Sequence, residues 1–548
     1  MRIQVLTSLM AAALLPACVN PCAAQVNVTT YHNDNGRTGQ NLQEVTLTTT
    51  NVNANTFGKL FSQSVDGYSY SQPLYMPNVV IPNNGTHNVI YVATMNDSVY
   101  AFDADSKTGT NAQPLWKVNF TNPSLGITTI STNALHCPDA ITTHVGIMST
   151  PVIDPTTNTL YVLVRTVETG TYFQRLHALD ITTGAEKFGG PIAIAATATG
   201  SGKGSKGGVI TFDPLLEGQR SALLLQNGLV YISWASLCDY GSYHGWVMAY
   251  NSQTLAQTAV WLTTPDGAEG GIWQSGNGVA GDASFNTFVA TGNGTFDVDT
   301  GDSDYGQSVV KLGPPSAGAF PILDYFSPYN GITYNLTDRD IGSSGAMLIP
   351  DQTGAYPHLL VQGDKAGDLY LINRDNMGQN NPLNNNQIVQ SISEATNGMW
   401  SSPSWWNNYV YLGGSTESLK AFSLDPLTGL LSTTPTSKTA ATFGYPGTTV
   451  SISSNGTTNG IVWALNNSAY KTTTGQASLI AYNATNLGTE LWNSSQGTGN
   501  AAGYAVKFTV PTVANGKVYV GTRGNNTGGS DTSTSVPGEL DVYGLLPN

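Results

Sequence analysis

The sequence predicts an all-β fold, a β-propeller of about eight blades, and three observations lead there. Pairs of short apolar strands separated by polar turns recur along the chain. Apolar residues at three- and four-residue spacing, the mark of helices, are absent. Glycine supplies 60 of the 548 residues, and Asn, Ser and Thr crowd the segments between strands.

The cleanest copy of the repeat is "VIYVATMNDSVYAFDAD": an apolar triplet, a turn, and a second strand closing on Ala-aromatic-Asp. Related pairs are "TLYVLVRT" with "RLHALDITTG", "LVYISWAS" with "GWVMAYNSQT", "TFVATGNG" with "QSVVKLG", and "GIVWALNN" with "ASLIAYNAT". Tyr91, Tyr161 and Tyr231 hold equivalent positions 70 residues apart. Later copies follow at roughly 50 to 60 residues, the span of a blade with loop insertions. A unit of that length holding several strands makes a four-stranded blade, and blades close radially into a ring. An isolated blade cannot bury both faces of its sheet, so the ring is expected to behave as one domain, residues 57–548.

From the N-terminus onward, Arg2 precedes the apolar stretch "VLTSLMAAALL", and "PCAAQ" offers a cleavage site after Ala24, so residues 1–24 read as a secretory signal peptide. Cys18 in "LPAC" leaves a bacterial lipid anchor open, although Pro16 makes a poor lipobox. Residues 25–56, polar and rich in Asn and Thr, are expected to lie across the outside of the ring. The strand "FGKLFSQSV" (57–65) has no blade of its own, and the last unit ends at "GELDVYGLLPN" without an outer strand. The N-terminal strand is therefore expected to close the last blade.

Charged residues make up only 10% of the chain and the net charge is −14. That balance repels nucleic-acid phosphates and anionic lipid, and no run of Lys or Arg offsets it locally. After signal cleavage only Cys137 and Cys238 remain, and in an exported protein such a pair reads as a disulfide rather than a redox site. No later apolar stretch is long enough to span a membrane. A secreted or periplasmic protein is expected.

The Ala-x-Asp strand ending followed by Thr-Gly, as in "HALDITTGAEKF" and "AFDADSKTGTNAQPLW", resembles the repeat of the pyrroloquinoline quinone (PQQ) alcohol dehydrogenases, eight-bladed propellers. Four further pieces follow that family's order. "GGIW" places Trp273 where the family has the floor beneath the quinone, and "ATGNG" places Asn293 at its calcium-binding turn. "DRDIGSSGAMLIP" offers Asp340 as the catalytic base, and "GDKAGDLYLINRD" offers Lys365 as the cation that reaches the quinone oxygens. A looser fifth piece, "CDYGSYHGWVMAYN", offers Asp239 in place of the family's calcium-binding Glu.

The resemblance thus implies PQQ over Trp273 and calcium held by Asp239, Asn293 and Asp340, in a channel site built from blades three to five. Oxygen donors suit a hard cation. A carboxylate near the substrate hydroxyl suits proton abstraction, and a lysine suits charge developing on a quinone oxygen. The substrate implied is an alcohol or polyol, with electrons passed to an external acceptor, since no Cys-x-x-Cys-His haem site occurs in the chain.

The chain departs from the family in having no adjacent cysteine pair, and the arginine and glutamate that grip the quinone's carboxylates are not evident; Arg165 and Glu168 are candidates by blade position. Taken singly, Trp273 also reads as blade packing and Asn293 as a turn residue. A non-catalytic propeller, an extracellular binding or assembly scaffold, is the alternative. The carboxylate pair Asp239 and Asp340 leaves a carbohydrate-active enzyme as a third reading.

Overall fold

A computed structural model describes residues 25–137, 144–472, 475–524 and 537–547. Residues 1–24, where a signal peptide is expected and Cys18 falls, lie outside the described residues.

Eight antiparallel sheets follow one another along the chain, each a meander running outward from an inner strand. The inner strands are Leu74–Ile81, Val152–Asp154, Leu224–Gln226, Ala280–Gly281, Met347–Leu348, Ser404–Trp406, Ser451–Asn455 and Thr512–Ala514, for blades one to eight. The second strand of each blade is buried on both faces, which is why it reads as a continuous apolar run; Leu229–Ser236, in blade three, is buried at every position but the first. The core is divided accordingly: one apolar cluster fills each seam between neighbouring blades, and the cluster holding Tyr75, Val92, Tyr519 and Val542 fills the seam between blades eight and one.

The repeating tyrosine has a further task. Tyr91 donates its hydroxyl to the Ile181 carbonyl of blade two at 3.0 Å, Tyr161 to Ser252 of blade three at 2.8 Å, and Tyr411 to Ala484 of blade seven at 2.8 Å. Tyr519 of blade eight donates to Ala104 of blade one at 3.2 Å, across the closing seam. A buried hydroxyl hydrogen bond contributes about 1 kcal/mol. Tyr519→Phe is therefore expected to lower unfolding free energy by about that amount, read as a shifted denaturant midpoint at constant slope.

Closure follows the expected route. Phe57–Val65 pairs antiparallel with Gly538–Leu545, from Phe57 opposite Leu545 to Val65 opposite Gly538, and forms the outer strand of blade eight.

The preceding segment corrects the sequence expectation. Residues 28–41 do not lie outside the ring; they thread its axis at one end and touch the inner strands in blade order. Val28 exchanges backbone hydrogen bonds with Tyr75, Ile153 donates to Thr29, Gly281 to Asn35, Leu348 to Gly36, Trp405 to Thr38 and Ile452 to Gly39. Gln40–Asn41 then runs parallel to Ser451–Asn455, and the Asn41 amide donates to Val513 of blade eight at 3.1 Å. Blade three is held by Asn35, which donates to Leu225 at 3.0 Å, and by Arg37.

Arg37 is fully buried, and its guanidinium fans out to the carbonyls of Tyr31, Leu223 and Val279 and to the Thr30 hydroxyl. Gly278 makes room for it, since a Cβ there would lie 2.4 Å from Nη2. His32, equally buried, is wedged between the carbonyls of Arg37 and Val450. A channel lined by strand edges carries unpaired carbonyls, and a polar segment rich in donors satisfies them. Among the described residues no helix is long and apolar enough to cross a membrane.

Candidate functional site

The end of the axis away from this plug opens into a cavity of about 180 Å³ lined by all five residues singled out from the sequence: Asp239, Trp273, Asn293, Asp340 and Lys365. Loops entering the inner strands build it. Arg220, Ser343, Trp400 and Phe508 each stand four residues ahead of an inner strand beginning at 224, 347, 404 or 512, and each lines the cavity.

Trp273 is half-buried: one edge packs against Tyr243, ring centroids 5.9 Å apart and steeply inclined, and the remainder faces the cavity. The glycines around it are dictated by contact. A Cβ on Gly271 would lie 3.1 Å from the indole nitrogen, and one on Gly292 would lie 2.9 Å from the indole and 3.0 Å from Asp340 Oδ2. "GGIW" and "ATGNG" are thus two halves of one wall, joined by the Gly292 amide donating to the Gly271 carbonyl at 2.8 Å.

Beside the indole, Lys365 lies between two carboxylates, its ammonium 2.6 Å from Asp338 Oδ1 and 2.7 Å from Asp340 Oδ1. Asp340 is buried, and its Oδ1 is paired with the Lys365 ammonium. Burial raises the Asp340 carboxyl above the ordinary range, with Lys365 opposing. Lys365 is lowered by burial, but Asp340 and Asp338 outweigh that and push it up to about 12. The two shifts differ in kind because the carboxylate is enclosed, whereas the lysine is more open and has two anions beside it.

The expected calcium ligands are committed elsewhere. Asp239 is exposed and accepts the Tyr243 hydroxyl at 2.7 Å. The Asn293 amide donates to Asp338 and accepts from Gln307, both at 2.8 Å. Asp340 faces the ammonium of Lys365. Among the described residues no group of three or more His, Cys, Asp or Glu side chains gathers as a metal shell. These side chains do not fit a calcium ion as they stand. The acidic loop Asp297–Asp304 gathers no such shell either; it closes on itself, the Asp304 amide donating to Asp297 Oδ1 at 3.0 Å.

The cavity holds cations, but not the ones the sequence suggested. Arg165 is buried between blades and donates to the carbonyls of Pro214 and Leu215, while Glu168 pairs with Arg175. Arg220 and Lys507 line the cavity instead, so that with Lys365 three cations meet there. Lys507 and Phe508 enter blade eight, Tyr445 blade seven and Trp400 blade six, so the site draws on blades three to eight rather than three to five. A flat half-exposed indole beside the Lys365 ammonium fits a planar anionic ring system.

Cys238 is a further lining residue, disulfide-bonded to Cys137, with Cα atoms 5.8 Å apart. The bridge ties the connection between blades one and two to the loop of blade three, and the rings of His136 and Tyr240 stack beside it at 3.9 Å. It closes a loop of 101 residues. Cys238→Ser is expected to destabilise by roughly 2–4 kcal/mol, measurable as a lower denaturant midpoint under non-reducing conditions.

Comparison with solved structures bears on the ring as a whole. A quinohemoprotein alcohol dehydrogenase, ADHIIG of Pseudomonas putida HK5, superposes with a TM-score of 0.59 over 95% of this chain and 80% of that one, at 15% identity. A europium-containing methanol dehydrogenase gives a TM-score of 0.60 over 95% and 98%, at 13% identity. The chain has the quinoprotein dehydrogenase fold. At these identities the likeness is one of fold; no protein-family model and no curated protein matches the chain. His244, near Asp239 in sequence, is a packing residue: buried, with its ring nitrogens held by Thr264 and the Lys203 carbonyl, each at 2.8 Å.

Proposed function

We propose that the axial cavity is the active site of an exported oxidoreductase that oxidises an alcohol or polyol with a bound quinone of the PQQ type. The observation that carries this reading is the convergence of Trp273, Asn293, Asp340 and Lys365, four residues scattered over the sequence, on one cavity at the ring axis. When bound, the quinone supplies the acceptor for the hydride that leaves the alcohol carbon. Trp273 offers it a flat apolar floor. Lys365, beside the indole, offers its oxygens a charge-assisted partner.

Asp340 takes the hydroxyl proton. Its Oδ1 is held by Lys365 while Oδ2 lies at the Gly292–Trp273 wall of the cavity, and burial makes the carboxylate a stronger base than one at the surface. Lys365 opposes the effect of burial by favouring the ionised form of Asp340, and orients it. Asp338, exposed on the rim, holds the far side of the ammonium and the Asn293 amide, so Asn293 acts here as a positioning residue for the Lys365 pair. No step passes through calcium. The signal-like residues 1–24 and the disulfide support export, and an external acceptor takes the electrons.

The test is reduction of an electron-accepting dye by purified protein loaded with PQQ, supplied with simple alcohols. Turnover that is lost in Asp340→Asn is the expected result. Quinone binding without turnover on any alcohol would move the protein to the scaffold reading.

A further inference from the structure

Thirty-five acidic side chains face 21 Lys and Arg in this chain, so a cavity cation without a carboxylate is unusual here. Two such cations stand together. Lys507 is only 7% exposed, and among the described residues its ammonium makes no ion pair and no hydrogen bond. Its surroundings are three rings, with the ammonium 4.8 Å from the centre of Phe508, 5.5 Å from Tyr470 and 5.6 Å from Tyr445. The Arg220 guanidinium lies 5.0 Å over the other part of the same cage, the Phe508 ring, and its buried Nε has no acceptor. The carboxylate that acts on Arg220, Asp239, makes no ion pair with it and turns to Tyr243. Lys365, by contrast, has two carboxylates within 2.7 Å.

Aromatic faces compensate a buried cation only in part. Placing two like charges in one pocket without an anion is costly, and a ligand that brings the anion recovers that cost. The charged and titratable groups facing Lys507 are Arg220, Lys471, Tyr445 and Tyr470; burial first, then Arg220 and Lys471, lowers its amine to about 7.

We infer that Arg220 and Lys507 bind the carboxylate of a small hydroxy acid whose hydroxyl points to Asp340, which makes the pair the determinant of substrate class. A guanidinium fork matches a carboxylate in plane, and the adjacent ammonium adds a point charge. The hydroxyl half of this assignment rests on the function proposed above; the carboxylate half does not.

The experiment is calorimetric titration of the full chain, without quinone, with glycolate, ethylene glycol and inorganic phosphate. Glycolate is expected to bind more tightly than either of the others. Lys507→Met should weaken it about tenfold or more, and Lys507→Arg should retain it. Because the ammonium is the binding form and is lost above about pH 7, wild-type affinity should fall roughly tenfold from pH 6.5 to 8.5, and both variants should lose that dependence.

Equal binding of glycolate and ethylene glycol, tighter binding of phosphate, or unchanged affinity in Lys507→Met overturns the inference. So does competition between glycolate and bound PQQ, which would give the anion site to the quinone. Glycolate binding that meets these expectations, in a loaded protein that turns over no alcohol, leaves the carboxylate site standing and removes the oxidation.

Discussion

Arg37→Met is expected to destabilise the protein by roughly 3 kcal/mol or more. Three buried carbonyls, those of Tyr31, Leu223 and Val279, receive hydrogen bonds from this guanidinium, and the methionine that replaces it can donate none. Each buried acceptor stripped of its donor costs about 1–3 kcal/mol. Arg37→Lys should recover little, because an ammonium on a flexible stem cannot fork to carbonyls from separate blades. The reading is a denaturant midpoint at unchanged slope. A change within about 0.5 kcal/mol, the usual cost of a surface substitution, would mean that the N-terminal segment lies loosely on the ring.

The second large effect concerns Asp340. Asp340→Asn should lower kcat in the quinone-loaded protein by about 10²–10⁴, the contribution of a positioned general base. The wild-type pH profile follows from the same burial. The base works when ionised, and burial raises its pKa, so kcat/KM should fall as pH falls, with the midpoint of the acid limb above the ordinary aspartate value of about 3.9. Lys365→Met should shift that limb further upward, because Lys365 is the opposing charge that favours the ionised form. An acid limb at the ordinary aspartate value in both proteins would remove Asp340 from the role.

Much of the ring was legible because repetition exposes it. The tyrosines at 91, 161 and 231 mark second strands, and for the first two the structure adds a reason: a hydroxyl that reaches the next blade. The unpaired strand 57–65 announced closure because a propeller leaves no edge open. The axial plug escaped the reading because its burial is polar. Thr30, His32 and Arg37 resemble a solvated loop until the carbonyls they meet are seen, and those come from blades hundreds of residues away.

In the cavity, Trp273 and Lys365 could be read because each sits in a local motif. Lys507, Tyr445 and Trp400 stand alone in sequence and become neighbours only when the ring closes. One signal could have found this wall: a large or charged residue four positions ahead of an inner strand, as at Arg220, Trp400 and Phe508. Arg165 was misplaced because a blade position fixes the sheet but not which way along the seam a side chain runs; it turns to the carbonyls of Pro214 and Leu215.

The central claim, that the cavity over Trp273 is a quinone site, is tested most directly by titrating the purified protein with PQQ and following the quinone's absorbance together with tryptophan fluorescence. Saturable one-to-one binding that quenches the fluorescence, and that is lost or weakened at least tenfold in Trp273→Ala while the variant keeps its wild-type denaturant midpoint to within about 1 kcal/mol, is the predicted result. Binding of equal strength in wild type and Trp273→Ala, or no binding to either, would contradict it.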